Sequence, residues 1–475
     1  SEKKTNMKFF IKYTVLLFIL SISFSCFEDD DDSISRSSEI KDFVWKGMNF
    51  AYLYKANSPN LANDRFESSI EYQNYLNGFN SPESLFESVV YDRQLTDRFS
   101  RITSDYIALE QQFSGVTKTN GAEFNFYYVP GSTSEIFGVV RLVLPESNAS
   151  NTSIIRGQVF NKIDDQIITI SNISSLLSSE IYSVGLADYN DNGTNETDDD
   201  TISNTSETIT LSKSVYYENP IFKAEVFNLD NENIAYLMYN GFIADYDSQL
   251  NIAFGNFQSQ NIQNLVLDLR YNPGGSVNTA AVLGSMITGL TSGVFAKLQY
   301  NDDLQNNNSN YNFSSNLTLG GSINSLNLNK VYVITSGSSA SASEMIINSL
   351  SAYIEVIQIG TKTVGKSQAS ITIYDSPTFQ RQGANSGHLY ALQPLVAISV
   401  NKDDLVVPST GLEPDIEINE SITNYGELGT IEEPMLAAAI IAIQNSGRFE
   451  ADTAGVSPIL DTNSFIPHIQ DMYID

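Results

Sequence analysis

Two residue types that often carry enzyme chemistry are scarce in this sequence of 475 residues, which has one cysteine and two histidines. A single cysteine excludes an intramolecular disulfide. The two histidines, His388 and His468, stand in no recognisable catalytic context. A nucleophile that depends on histidine as its base is therefore not indicated.

Basic residues are also scarce. The chain has 26 lysines and arginines against 56 aspartates and glutamates, which gives a formal net charge of −30. Nucleic-acid binding needs a basic surface, so this balance argues against a nucleic-acid partner. We attribute the charge to solubility in a salty exterior rather than to an acidic active site. A hydrophobic content of 41% and an aromatic content of 11% are typical of a globular protein, and the length suffices for two or three domains.

The apolar run near the start of the chain, from residue 13 to about 24, is too short for a comfortable membrane span. Lysines precede it at Lys8 and Lys12, as in a signal peptide. We predict a lipoprotein signal peptide over residues 7–26, with lipidation of Cys26. The alternative for this thiol is a buried or inert side chain.

Residues 27–37 begin with the acidic run FEDDDDS, and we predict an acidic linker there. The run resembles the acidic export tag of surface lipoproteins in Bacteroidetes-like bacteria. This resemblance implies an extracytoplasmic protein that is anchored by lipid at the outer membrane or the cell surface, with the membrane as a partner through Cys26.

A serine and a lysine carry the main chemical signal. Ser341 lies in SSASASEMIINSL (338–350), and Lys366 follows in GTKTVGKSQAS (360–370). A serine hydroxyl needs a neighbouring base, and a lysine can serve when burial favours its neutral amine. The pattern predicts a buried strand, then a tight turn of small residues, then a helix over 342–353. A serine at such a turn is exposed, and the first amides of the helix can stabilise an anion.

These two segments, together with DLRYNPGG (268–275) upstream, resemble the Ser–Lys C-terminal-processing peptidases, the tail-specific or S41 family. The resemblance implies that Ser341 is the nucleophile and Lys366 the general base. It implies an oxyanion hole formed by the amides of Ala342 and the Gly274–Gly275 pair. It also implies an α/β peptidase core of the ClpP/crotonase type and protein or peptide substrates.

The sequence departs from the family pattern at two supporting positions. Some members carry an acid about eleven residues after the serine, where this chain has Ala352. Others carry a glutamine four residues after the lysine, where this chain has Ser370. Ser370 or the nearby Gln368 could substitute. A catalytically weak or inactive peptide-binding lipoprotein on the same fold, or an accessory to a glycan-uptake system, therefore stays open.

The segment GTKTVGKS (360–367) also satisfies the pattern of a phosphate-binding loop. Such a loop needs a helix directly after it, so that the helix N-terminus faces the phosphates. The next residues, QASITIYD (368–375), alternate in character and predict a strand instead. We therefore expect no nucleotide partner.

The chain divides into four further parts by composition and pattern. Helical periodicity predicts a small helical N-terminal domain over 38–110, and short strands over 112–218 resemble a PDZ domain that would capture extended peptides. Alternating strands and helices over 219–445 predict an α/β core with a largely parallel sheet, which the resemblance implies is the peptidase core. Residues 446–475 form a tail that carries no pattern.

Within the PDZ-like part, residues 188–199 fit several positions of a calcium loop. Asp188, Asn190, Asn192 and Asp199 take ligand positions around Gly193, but an aspartate stands where a bidentate glutamate is expected. An acidic turn is the favoured interpretation. No metal or organic cofactor is implied, and the sequence as a whole predicts an extracytoplasmic serine endopeptidase.

Overall fold

The computed structural model describes residues 30–194, 196–445, 456–466 and 472–474, with side chains from Arg36 onward. The predicted signal peptide over 7–26, including Cys26, lies outside the described residues, as does His468. Among the described helices, none combines the length and apolar character that a membrane crossing requires.

The N-terminal part is mostly helical, as predicted. Its elements are α1 (Asp30–Ala51), α2 (Ser69–Asn77), α3 (Pro82–Val89), β1 (Arg101–Thr103) and α4 (Tyr106–Phe113). A serine cap opens α3, because the Ser81 hydroxyl accepts a hydrogen bond from the Ser84 amide at 3.1 Å. Helix α1 begins at Asp30, which corrects the linker predicted over 27–37. No proline interrupts this stretch, and its acidic start is favoured by the helix dipole.

These helices share their core with the rest of the chain. Phe43 and Met48 of α1 are buried in the same apolar cluster as Ile373 and Leu392, which lie more than 300 residues later. A methyl group at Gly47 would lie 2.7 Å from Leu392 Cδ1. The helical part is therefore packed directly against the core and is not an independent globule.

The next part is rich in strands. It contains β2 (Val116–Thr119), β3 (Ala122–Tyr128), β4 (Ile136–Val143), β5 (Val159–Ile163), β6 (Gln166–Ile167), α5 (Ile173–Ser178), β7 (Ile181–Asn190), β8 (Thr201–Ser212) and β9 (Ser214–Tyr217). Strands β3, β4, β5, β7 and β8 are neighbours in this order, and all their pairings are antiparallel. An acidic hairpin joins β5 to β6, with positive φ angles of 49° at Asp164 and 59° at Asp165.

The segment 188–199 connects two long antiparallel strands. Asp188 and Asn190 belong to β7, where Asp188 pairs with Ser203 of β8. Among the described residues, no group of three or more histidine, cysteine, aspartate or glutamate side chains could hold a metal ion. The geometry is that of the acidic turn that the sequence favours.

The core part holds most of the remaining elements. Its helices are α6 (Asp247–Ser259), α7 (Val277–Thr288), α8 (Ala342–Leu350) and α9 (Pro434–Gln444). Its strands are β10 (Ile221–Leu229), β11 (Glu232–Tyr239), β12 (Asn264–Asp268), β13 (Gly275–Ser276), β14 (Val294–Tyr300), β15 (Ser309–Asn312), β16 (Lys330–Thr335), β17 (Glu355–Gly360), β18 (Gln368–Ser370), β19 (Ile373–Tyr374), β20 (Ala391–Gln393), β21 (Leu395–Val400) and β22 (Ile416–Glu417).

The central sheet has the order β10-β11-β12-β16-β17-β22. Every pairing after the antiparallel β10–β11 pair is parallel, which confirms the predicted topology. Its strands are buried on both faces: Leu237 of β11 packs with α6, α7 and α8, while the neighbouring Tyr236 packs with α9. This sheet places the ends of β12 and β16 side by side, and the two loops that follow these strands form the site.

The tail contributes two strands that sequence reasoning missed. β23 (Leu460–Asp461) adds to the edge of the β-rich sheet beside β3. β24 (Met472–Tyr473) lies in a second sheet with the order β13-β24-β18-β21-β14-β15. Strands β1, β20 and β19 form a third sheet.

Candidate active site

Ser341 lies at the turn between β16 and α8, as predicted. Its backbone has φ 65° and ψ −116°, a conformation that residues other than glycine rarely adopt. The predicted exposure of this serine is wrong: the residue is fully buried, because the loop after β12 packs against the turn. Within the described part of the chain its Oγ has no hydrogen-bond partner. Strain at an unpaired buried hydroxyl is typical of a functional position.

Small hydroxyl residues fix this turn to the loop after β12. The Ser339 hydroxyl donates to the Leu269 carbonyl at 2.8 Å, and the Ser343 hydroxyl donates to the Asn272 carbonyl at 3.0 Å. The Ala340 amide donates to the same Asn272 carbonyl at 3.2 Å. The run of small residues around Ser341 therefore serves close packing as well as the turn.

The glycine pair of the NPGG segment lies against the serine. Gly274 has φ 120°, and a Cβ placed there would lie 2.8 Å from Ser341 Oγ. Gly275 has φ 131°, and a Cβ there would lie 2.3 Å from the Phe242 carbonyl oxygen. Glycine is therefore required at both positions by conformation and by space.

The two amides of this pair point in different directions. The Gly274 amide already donates to Asn272 Oδ1 at 2.9 Å. The Gly274 carbonyl and the Ser276 amide both bond to Phe242, so the Gly275 amide points to the opposite edge of the strand. At the start of α8, the Ala342 amide has no hydrogen bond within the described residues, as expected for the first turn of a helix.

Lys366 lies in the loop between β17 and β18 and is fully buried. Its Nζ is 5.0 Å from the centroid of the Phe99 ring. Arg98, from the N-terminal part, donates to the carbonyls of Val364 at 3.3 Å and Gly365 at 3.1 Å. The N-terminal part thus supplies both a wall beside the lysine amine and a clamp on its loop.

Glu344 joins the serine turn to the lysine loop. Its Oε2 accepts from the Ser341 amide at 2.9 Å and from the Lys366 amide at 2.8 Å. Its Oε1 accepts from the Gly365 amide at 2.7 Å and from the Thr363 hydroxyl at 2.5 Å. Since one oxygen binds both amides, the Ser341 and Lys366 nitrogens lie no farther apart than the sum of those two distances. Burial raises the pKa of Glu344, although its four donors act in the opposite direction.

The strand predicted after the lysine loop is confirmed. β18 begins at Gln368, where a phosphate-binding loop would require a helix. The segment therefore presents Lys366 from a loop that leads into a sheet. This is the arrangement that the peptidase pattern predicts.

Two family models match the chain. The model of peptidase family S41 matches residues 233–418, and the model of the peptidase S41 N-terminal domain matches residues 39–101. Together they cover more than half of the chain. The chain belongs to peptidase family S41. Members of this family are serine peptidases.

Solved structures agree with this assignment. The fold is similar to that of an S41 protease from Bacteroides fragilis NCTC 9343, with a TM-score of 0.66 and 24% identity over 86% of this chain and 97% of that chain. It is also similar to the photosystem II D1 C-terminal processing protease, with a TM-score of 0.50 and 16% identity over 85% of this chain and 98% of that chain. A comparison with curated proteins found no match. At these identities the likeness shows the fold.

The predicted supporting residues of this S41 peptidase bond elsewhere in the site. Gln368 Nε2 donates to the Tyr54 hydroxyl at 3.1 Å, and the Ser370 hydroxyl donates to the Met472 carbonyl at 3.2 Å. Glu355, near the position of the missing acid, pairs with Lys330 on the surface at 2.9 Å. A direct role for Ser370 or Gln368 stays a prediction.

Asp268 and Arg270 brace the loop that follows β12. The two side chains are fully buried and pair at 2.7 Å, and Arg270 also pairs with Glu433 of the α9 cap at 2.6 Å. The Arg270 carbonyl accepts a hydrogen bond from Ser336 in the serine turn. The charged pair therefore holds the ends of β12 and β16 together beneath the site.

Sequence reasoning missed Glu344 and Asn272. Glu344 stands three residues after Ser341, and this Ser-x-x-Glu spacing is that of a capping box, in which a glutamate reaches back to the amide at the helix start. That signal could have identified it. Asn272 fixes the glycine loop, since its Nδ2 donates to the Tyr239 carbonyl at 2.8 Å while its Oδ1 holds the Gly274 amide. An asparagine before Pro-Gly-Gly predicts only a turn.

Proposed function

We propose that this S41 peptidase is an extracytoplasmic serine endopeptidase of the C-terminal-processing type, with a Ser341–Lys366 dyad. The single observation that carries the proposal is the geometry around Ser341. A strained, buried and unpaired hydroxyl lies against a glycine loop, and one carboxylate connects its backbone to that of a buried lysine. A purely structural serine has no need of this arrangement.

In the proposed reaction Ser341 Oγ attacks the scissile carbonyl carbon while its proton passes to Lys366 Nζ. Burial favours the neutral amine that this step requires. The carbon–nitrogen bond then breaks, and Lys366 returns the proton to the leaving amine. Water then attacks the ester carbonyl carbon and gives a proton to Lys366. The bond from that carbon to Ser341 Oγ breaks, Lys366 returns the proton to Oγ, and the second product leaves as a carboxylic acid.

The negative charge on the substrate oxygen is held by backbone amides. The Ala342 amide at the start of α8 and the outward-facing Gly275 amide are the two donors that we assign to the oxyanion hole. Gly274 supplies space beside Ser341 Oγ, since its own amide is bound to Asn272. Of the three predicted donors, Gly274 thus takes a spacing role in this proposal.

We extend the proposal to the β-rich part and to the anchor. A PDZ-like role for residues 112–218 is supported by the antiparallel sheet, in which strand β3 pairs with the added strand β23. Lipidation of Cys26 would hold the enzyme at a membrane surface outside the cytoplasm. Labelling cells with a radioactive fatty acid tests the anchor, because the label would be lost in the Cys26→Ala variant.

The test of the reaction is incubation of the chain with casein beside the Ser341→Ala and Lys366→Ala variants. We expect cleavage by the parent and a loss of at least about 1,000-fold in each variant. EDTA would leave the rate unchanged, because no step uses a metal. If none of the three folded proteins cleaves casein, a peptide-binding role is favoured. Equal cleavage by all three would contradict the dyad.

A further inference from the structure

Strand β24 lies between β13 and β18, the strands that adjoin the two proposed catalytic loops. It pairs in parallel with β13, with Met472 opposite Gly275 and Tyr473 opposite Ser276. On its other side it pairs in parallel with β18, with Tyr473 opposite Ser370. The Ile474 amide donates to the Ser370 carbonyl at 3.1 Å, and the Ser370 hydroxyl donates to the Met472 carbonyl.

Both neighbours of β24 continue directly from proposed catalytic groups. β13 begins with Gly275, whose outward amide we assign to the oxyanion hole, and β18 begins two residues after Lys366. An extended peptide whose carbonyl is to meet both groups must run along these strands, and adding a strand to sheet edges is a common way to bind one. We propose that residues 472–474 occupy the substrate position, so that the chain carries its own competitor of the substrate. This inference rests on the proposed function.

The side chains of β24 are bound as a ligand would be. The Tyr473 ring stacks on Phe113, with centroids 4.2 Å apart and an interplanar angle of 23°. Its hydroxyl donates to the Phe113 carbonyl at 3.3 Å, and Met472 is only 1% exposed. The groove beside Tyr473 is lined by Phe113, Phe242, Gly274 and Gly275. The geometry therefore defines a subsite that accepts an aromatic side chain, with Phe113 as its specificity residue.

A second segment of the tail covers the other peptide-binding edge. Leu460 of β23 pairs with Phe126 of β3 in the antiparallel sense, and the Ile459 amide donates to the Phe126 carbonyl at 2.9 Å. Phe465 packs edge-on against Phe126, with centroids 5.8 Å apart. The tail thus covers the β3 edge as well as the space between β13 and β18.

The first experiment measures binding without catalysis. A fluorescent peptide of residues 466–475, IPHIQDMYID, is titrated into the full chain carrying Ser341→Ala, with and without Tyr473→Ala and Ile474→Pro. Ile474→Pro removes the amide that bonds Ser370, and Tyr473→Ala removes the stack on Phe113. We expect the peptide to bind at least about tenfold more tightly when both changes are present, because the groove is then open.

Three controls make this result specific. Tyr217→Ala, at an exposed tyrosine, is expected to leave peptide affinity unchanged. A peptide with alanine at the tyrosine position, and a Phe113→Ala change in the opened chain, should each weaken binding. Equal affinity of the peptide for the parent and the opened chain, at matched melting temperatures, would overturn the proposal.

The second experiment measures casein cleavage by the chain with Ser341 intact. We expect the Tyr473→Ala/Ile474→Pro chain to have a kcat/KM at least about threefold above the parent, mainly through a lower KM. An unchanged or lower kcat/KM in the folded variant would contradict self-competition. If no variant cleaves while the opened chain still gains peptide affinity, the proposed function fails and the assignment of the groove stands.

Discussion

At the scale of single residues, Glu344 has a role that its ordinary position in a helix does not suggest. Its carboxylate accepts four hydrogen bonds, two of them from the backbones of Ser341 and Lys366. All four partners are donors, so the side chain must be an acceptor at both oxygens. In the proposed mechanism it is a positioning residue, because it fixes the distance between the Ser341 turn and the Lys366 loop.

The Glu344→Gln variant tests this role. In the glutamine side chain, an NH2 group replaces one of the two oxygens that now accept hydrogen bonds. Buried backbone amides then lose their acceptor, which lowers the free energy of unfolding by about 2 kcal/mol or more. We expect a lower melting temperature and a fall in kcat of about 100-fold. Glu355→Gln, at the exposed partner of Lys330, is the matched control and should change neither quantity. A Glu344→Gln enzyme with full kcat would show that the carboxylate does not set the geometry.

Gly274 gives a second prediction at this scale. The Gly274→Ala change would place a methyl group 2.6 Å from Ser341 Cβ at a backbone φ of 120°, so the nucleophile must move. We expect casein cleavage to fall by about 100-fold or more. Gly337→Ala is the control on the same turn, since no atom lies within 4 Å of its added methyl group and cleavage should be retained. Equal activity of the two variants would contradict the close approach.

At the scale of elements, the lysine loop depends on a part of the chain that is distant in sequence. Arg98 bonds the carbonyls of Val364, Gly365 and Ser409, and Phe99 lies beside the lysine amine. Gly365 itself has no room for a side chain, because a Cβ there would lie 2.3 Å from the Ser409 carbonyl. The loop is thus held from outside the core as well as by Glu344.

The Arg98→Ala variant removes this external clamp. We expect kcat on casein to fall by about tenfold or more, because Lys366 loses its fixed position relative to Ser341. The overall fold should be retained, since the three carbonyls that Arg98 bonds lie in loops rather than in helices or strands. Arg65→Ala, which breaks a surface pair with Glu71, is the control with unchanged kcat. A rise in KM with an unchanged kcat would instead place Arg98 in substrate binding.

Sequence periodicity predicted most elements of the core but few of the contacts that assemble the site. The strand before Ser341, the helix after it and the strand after Lys366 each follow from local pattern, and the structure confirms them. The contact of Phe99 with Lys366 and the insertion of β24 join residues far apart in the chain. Two- or three-residue strands such as β23 and β24 have no periodicity to detect, so the tail looked featureless.

At the scale of the whole molecule, buried arginines join the β-rich part to the core. Arg141 is fully buried and pairs with Glu123 of β3 at 2.9 Å and with Asp461 of β23 at 2.9 Å. It also donates to the Ser338 hydroxyl in the serine turn at 2.8 Å. Arg156 similarly pairs with Glu420 at 2.6 Å. Removal of either partner from such a pair leaves a buried charge uncompensated, so we expect these contacts to keep the parts in a fixed arrangement.

The Asp461→Asn variant tests this junction through its pH dependence. Burial opposes ionisation of Asp461, but the Arg141 guanidinium outweighs it and holds the pKa of the carboxyl below its usual value of 3.8. A lowered pKa contributes stability that is present above the usual value and is lost as the pH falls through the folded value. The parent should therefore melt about 3 °C or more above Asp461→Asn at pH 6, a difference that shrinks towards zero below pH 3.8.

Asp404→Asn, at an exposed partner of Lys297, should show no such pH-dependent gap. Because salt screens an exposed pair but hardly affects a buried one, the gap at pH 6 should also persist in 0.5 M NaCl, whereas a gap that disappears in salt would place the Asp461 charge at the surface.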